Sequence, residues 1–374
     1  MSRPLASTLL GTVLAALLAA GPAAAQAADG GGAPKVVADI APVHGLVARV
    51  MQGVGEPALL VRPGASPHGY AMKPSEAAAL EGAQVVFFVG PELTPWLTRP
   101  LATLAPRARQ VELLEAPGTH RLPTRTGARF APHHHDEEEG HDHTAAGENE
   151  DGHDPESEAG EDHVEAAGDH APDASGGHAG DDAGDHAADT GHDHASAEAD
   201  DHDHGGIDPH AWLDPENGKA WLEAIAAELA ALDPAHAEAY AANAAGGAAE
   251  IDAAATEAQV RLAPLAGLRF IVFHDAYQYF EERFGLHAAG AISLSDASVP
   301  GPARLATLRA MVAEEGVTCA LAEPQFDPDM IATVAGEGRV RTGLVDPVGM
   351  AIPPGPGFYP ALIRALAEGF AACG

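Results

Sequence analysis

The chain has 374 residues, with 55 Asp and Glu against 20 Lys and Arg, for a formal net charge of −35. A balance this acidic argues against nucleic acid and anionic lipid as partners and in favour of cations. The only two cysteines, Cys319 and Cys373, read in an exported chain as one disulfide rather than a thiolate metal site.

Export is the reading of the N-terminus. Arg3 precedes a short apolar run over residues 9–20, and Ala23, Ala24 and Ala25 suit a signal peptidase, so residues 1–28 are expected to be a cleaved signal peptide. The run is too short for a comfortable membrane span, and a free periplasmic protein is expected. Strand and helix then alternate. Strands are predicted at 35–40, 58–61, 85–89 and 110–113, with helices starting after Pro42, opening at Pro74-Ser75, and running from Glu92 towards Leu104.

From His133 to Gly206 the composition changes. Asp, Glu, His, Gly and Ala dominate, Val164 is the only large aliphatic residue, and no Lys or Arg falls between Arg129 and Lys219. Such a stretch buries too little apolar surface to offset its ordering entropy, so 133–206 is expected to be a disordered insert. Its imidazoles are closely grouped: His133, His134 and His135; His141 and His143; His192 and His194; His202 and His204. Neutral imidazoles in a flexible acidic chain form a weak, accessory metal-binding tract.

Beyond the insert, Trp221, Leu222, Ile225, Leu229 and Leu232 recur at helical spacing. Asp233-Pro234 reads as a helix start, and the next proline is Pro264. One Ala-rich helix of about 28 residues, roughly 42 Å, fits between them, weakened in the middle by Gly246-Gly247. The pattern then repeats, with strands predicted at 268–273, 288–292, 318–322 and 341–345, and helices near 277–284, 302–315, 328–336 and 359–371. The expected fold is α/β. Two lobes (33–232 and 264–374), each a mostly parallel four-stranded sheet flanked by helices, are joined by a long helix over 233–263, with a cleft between them.

Ligands of parallel sheets bind beyond the carboxyl ends of the strands. His68 follows the predicted strand ending at Val61, His274 the one ending at Phe273, Asp346 the one ending at Val345, and His210 precedes the amphipathic helix. Two positions fall in each lobe. Three imidazoles and one carboxylate suit tetrahedral Zn²⁺, with Zn–N distances of about 2.0–2.1 Å, and imidazole-rich coordination favours zinc over manganese. Each residue also has an ordinary reading: a histidine bonded in a loop, or an aspartate capping a turn. His44, His120, His236 and His287 lack comparable context and read as surface or packing residues.

The sequence resembles the zinc-binding subfamily of the metal-specific solute-binding proteins of ABC importers, the cluster A-I group. The resemblance is carried by Gly64-Ala-Ser-Pro-His-Gly-Tyr-Ala-Met-Lys-Pro-Ser75, His210-Ala-Trp-Leu-Asp-Pro-Glu-Asn217 and Phe273-His-Asp-Ala-Tyr-Gln-Tyr-Phe280. Glu323-Pro-Gln-Phe326 and Leu344-Val-Asp-Pro-Val-Gly349 complete it. It implies two α/β lobes joined by one long helix, with Zn²⁺ as the transported ligand held in the cleft by His68, His210 and His274. Manganese relatives usually carry glutamate at the position matching His274. Asp346 matches a carboxylate ligand of several relatives. Other zinc members use water, or a glutamate where this chain has Pro67. The resemblance makes Glu323 a buried supporting carboxylate, and pairs Cys319 with Cys373. It further implies delivery to the membrane permease of a zinc ABC importer, a histidine-rich loop that collects zinc, a periplasmic zinc chaperone as a second partner, and a monomer. A zinc buffer without a permease is the alternative. A zinc hydrolase is disfavoured, because no His-Glu-x-x-His helix is present and Asp346 would close the open coordination position catalysis needs.

Overall fold

A computed structural model of the chain describes residues 32–125, 129–130, 206–293, 301–336 and 340–374. The expected signal peptide and all the insert histidines named above lie outside the described residues.

Among the described residues, two four-stranded sheets, all parallel, form from the eight strands of the repeating pattern. The first contains β1 (Val36–Ala38), β2 (Ala58–Leu59), β3 (Val85–Phe88) and β4 (Arg109–Glu112), arranged β2-β1-β3-β4. The second contains β5 (Phe270–His274), β6 (Ala288–Ser293), β7 (Cys319–Ala322) and β8 (Arg341–Leu344), arranged β6-β5-β7-β8. The two orders are the same, and in each the first strand is central. The chain therefore reverses its winding beside β1 and beside β5, and the crevices there are the places where an α/β sheet binds ligands.

Alternating side chains explain why both faces are covered. Val36, Ala38, Val85 and Phe87 of the first sheet, with Phe270, Val272, Cys319 and Leu321 of the second, join one continuous core. That core is filled by α1 (Ala41–Val50), α4 (Pro215–Leu232), α5 (Ala237–Leu262) and α9 (Phe358–Ala371). The opposite faces pack separately. Val37, Val86 and Phe88 meet α2 (Pro74–Glu81) and α3 (Thr98–Leu104). Ile271, Phe273 and Ala320 meet α7 (Pro302–Glu314) and α8 (Pro328–Ala335). The remaining helix, α6 (Gln278–Phe284), follows β5 directly.

The long predicted helix is α5, 26 residues preceded by a 3-10 turn over Pro234–His236, or about 39 Å. Gly246-Gly247 does not interrupt it. A Cβ on Gly247 would stand 2.9 Å from both Arg49 Cγ and Leu222 Cδ1, so glycine lets α1 and α4 approach the helix closely. The helix expected from Glu92 starts later. Thr94 leaves the helical region before Pro95, as a residue ahead of proline tends to. A 3-10 turn over Pro95–Leu97 then leads into α3. Cys319 on β7 is disulfide-bonded to Cys373 after α9, with Cα atoms 5.6 Å apart.

Candidate metal centre

Three of the four predicted ligands come together. A small pocket is lined from one side by residues 64–68, His210 and Trp212, and from the other by His274, Gln325, Pro347 and Val348. The His68 and His210 rings lie 5.5 Å apart between centroids, and His210 and His274 5.4 Å. Imidazoles arranged tetrahedrally around one Zn²⁺ would have centroids about 5.2 Å apart, given a Zn–N bond of about 2.0–2.1 Å. As the side chains stand, no set of three or more His, Cys, Asp or Glu among the described residues already forms a closed ion-binding group.

Each element fixes its histidine differently. His68 is half-buried in the loop between β2 and α2, where the Trp96 indole N–H donates to Pro67 O at 2.7 Å. His274 is the last residue of β5 rather than the first beyond it, and is 2 % exposed. Its Nδ1 lies 2.6 Å from Glu323 Oε1, and Glu323 directly follows β7, so the pair spans the crevice beside β5. Gln325 Nε2 donates to the other oxygen of Glu323 at 2.8 Å. His210 is also buried; its Nδ1 is 2.7 Å from Asp208 Oδ1, and the same oxygen accepts the His210 backbone N–H. An ionised carboxylate accepts only, so opposite one the Nδ1 of the ring carries the proton. The lone pair of each is then on Nε2, the arrangement that metal-binding histidines commonly have.

Glu323 thus occupies the supporting position the resemblance implies. Asp208 was not singled out in the sequence, although an aspartate two residues ahead of a ligand histidine is a local signal that could have found it. Burial pushes the Asp208 carboxyl up to about 7, against the His210 N–H, Arg125 and nearby imidazoles, which favour its charge. Burial likewise raises the Tyr277 hydroxyl well above the ordinary tyrosine range, reinforced by the Glu323 and Asp346 charges.

Asp346 does not line the pocket. Its Oδ1 accepts the backbone N–H groups of Val348 and Gly349, at 3.0 and 2.9 Å, and its Oδ2 accepts that of Met350 at 2.5 Å. A carboxylate offers about four acceptor positions, so one on Oδ2 remains. The other histidines are placed apart. His44 Nε2 donates to Pro57 O, His236 Nδ1 meets Asp233, His120 lies near Asp214 and Glu282, and His287 is exposed.

Residues 36–373 match the family model of the zinc-uptake complex component A, periplasmic. The chain belongs to this family. The high-affinity zinc uptake system protein ZnuA of Brucella abortus (strain 2308) is 41 % identical over 338 residues, covering 90 % of this chain and 91 % of the relative. That of Paracoccus denitrificans (strain Pd 1222) is 41 % identical over 341 residues, covering 91 % of each. A crystal structure of ZnuA superimposes with a TM-score of 0.61 at 21 % identity, covering 91 % of this chain and 99 % of that one. The solute-binding protein FpvC of Pseudomonas aeruginosa in complex with Mn²⁺ gives 0.63 at 19 % identity, with 90 % and 97 % covered. At these identities the structures establish the shared fold. The family is one of transport components, and among the described residues no helix is long and apolar enough to cross a membrane.

Proposed function

We propose that the protein captures Zn²⁺ in the periplasm and hands it to the permease of an ABC importer, holding the ion with His68, His210 and His274. The observation that carries this reading is the convergence of three imidazoles on one pocket, with His210 5.4–5.5 Å from each of the other two rings and two of the three with Nδ1 against a buried carboxylate. The relatives' names point to zinc. Loading requires the rings to turn their Nε2 atoms to a common point, a motion of side chains. Asp346 is proposed as the fourth ligand through the remaining acceptor position on Oδ2; a water molecule is the alternative.

Chemistry divides the labour. Borderline imidazole nitrogens discriminate against Mn²⁺, which prefers carboxylate and water, while selection against copper and nickel has to come from geometry. Glu323 and Asp208 raise the basicity of their histidines and fix the direction in which each lone pair points. The histidine-rich stretch 133–206 is assigned a collecting role, with sites weaker than the cleft because binding there must order the chain. The lobe boundaries at 233 and 264 and the signal peptide over 1–28 belong to the same proposal.

The test is a calorimetric titration of the protein lacking residues 133–206 with Zn²⁺ and with Mn²⁺, repeated with His274→Ala. One tight zinc site, weakened by the substitution and selective over Mn²⁺, is the expected result. Loss of the tight site on deletion would transfer the function to the histidine-rich stretch.

A further inference from the structure

Arg125 does not line the pocket, yet it grips the turn that carries one of the site's histidines. It lies on a strap that leaves β4. Asn217 Oδ1 accepts the His120 N–H at 2.7 Å, and the Tyr279 hydroxyl accepts the Leu122 N–H at 2.9 Å. Pro123 forms an antiparallel bridge with Ile207, and Thr124 N donates to Gly206 O. Arg125 then reaches across to the second sheet. Its Nε donates to Asp275 Oδ1 at 2.8 Å and Nη2 bonds the same oxygen, while Nη1 and Nη2 take the two oxygens of Glu281 at 2.8 and 3.1 Å. The guanidinium also lies 4.1 Å from the Phe130 ring centroid.

We propose that Arg125 is a positioning residue for the cleft: by clamping Asp275 and Glu281 together it fixes the β5–α6 turn and so holds His274 in place for the ion. The proposal rests on the three-histidine reading. Asp275 is the residue after His274, and Glu281 lies in the middle of α6, so the clamp closes the turn from both ends. A bidentate guanidinium–carboxylate pair fixes orientation as well as distance. The partners are nearly dry, with side-chain exposures of 16 % for Arg125, 7 % for Asp275 and 4 % for Glu281, so water does not substitute for the clamp. Glu281 Oε2 additionally accepts the Ala288 N–H at 2.9 Å, which extends the brace to β6.

The same strap bears on the second histidine. The Tyr279 hydroxyl that receives the Leu122 N–H donates to Asp208 O at 2.8 Å, and the Asp208 carboxylate is the one that holds His210 Nδ1. Lysine would keep the charge of Arg125 but offers a single point rather than a fork. Arg125→Lys is therefore a test of orientation. Arg125→Gln alone would leave two buried carboxylates uncompensated, and pairing it with Glu281→Gln preserves the net charge of the cluster.

The experiment uses the full chain loaded with one equivalent of Zn²⁺. It measures zinc release to a chromophoric chelator by stopped flow, alongside the Tm of the metal-free protein, for wild type, Arg125→Lys, Arg125→Gln with Glu281→Gln, and His274→Ala. Release about tenfold faster in both Arg125 variants is expected, the low end of the effect seen when a group orienting a ligand is lost, with that ratio unrelated to the fall in Tm. Release within twofold of wild type in both, with His274→Ala much faster, would reduce Arg125 to an ordinary ion pair. If His274→Ala itself leaves release unchanged, the three-histidine reading falls, and this proposal with it.

Discussion

Replacing Glu323 by alanine separates support of a ligand from ligation itself. In the folded chain its two oxygens receive His274 Nδ1 at 2.6 Å and Gln325 Nε2 at 2.8 Å, in a side chain with no solvent exposure. Alanine leaves the His274 ring without the partner that fixes its tautomer, and loss of such a partner weakens metal binding by about 10–100-fold. At about 1.4 kcal/mol per tenfold, zinc affinity should fall by about 1.4–2.8 kcal/mol. The metal-free protein should also lose about 1–3 kcal/mol, because the buried His274 donor is stranded. Glu323→Gln should fall between alanine and wild type: its carbonyl can still accept from His274, but its amide then faces the Gln325 amide. Competition against a zinc chelator gives the affinities, and chemical denaturation without metal gives the stabilities. Zinc affinity within twofold of wild type in Glu323→Ala, with His274→Ala strongly weakened, would refute this role for Glu323.

Other substitutions probe different parts of the account. Asp346→Asn keeps the size of a side chain that holds the 348–350 turn but removes the charge that an ion would use. A loss of zinc affinity larger than the loss of metal-free stability is expected if Asp346 is the fourth ligand, and equal losses would leave it a turn-former. In Gly218→Ala the added Cβ would stand 2.5 Å from the Tyr359 ring, and overpacking of this kind costs about 1–3 kcal/mol. Calorimetric Tm should drop accordingly, and an unchanged Tm would mean that α4 and α9 adjust freely. Burial raises the Asp39 carboxyl from 3.8 to about 7, although it accepts the Ile40 and Val89 N–H groups. The folded state then binds more protons than the unfolded state between those values, so this group's contribution falls as pH rises from about 4 to about 7 and is level above. The full span corresponds to a loss on the order of 4 kcal/mol. Asp39→Asn, compared with wild type without metal, should flatten that slope whatever its effect on absolute stability; parallel profiles would show that Asp39 ionises as readily folded as unfolded.

Much of this was legible from local pattern. Apolar runs such as Val85–Phe88 and Phe270–His274 place strands buried on both faces, and His274, at the end of the second, lines the small pocket. The helix opening read at Pro74-Ser75 is α2, and α4, α7 and α8 also carry a proline in the first turn. What escaped was set by contacts remote in sequence. The partnership of Arg125 with Asp275 and Glu281 spans 150 and 156 residues, and no spacing rule announces it. Gly246-Gly247 looked like a weakness in α5 because intrinsic propensity ignores the helices packed against it. Asp346 satisfied the strand-end rule and also had a turn-capping reading in the sequence; local pattern left both open, and its oxygens hold the turn that follows.

Anomalous diffraction at the zinc edge, on crystals of the full chain grown with one equivalent of Zn²⁺, tests the central claim most directly. The account predicts one strong peak, about 2.0–2.1 Å from the Nε2 atoms of His68, His210 and His274. A peak placed elsewhere, with those three rings left as they are, would contradict it.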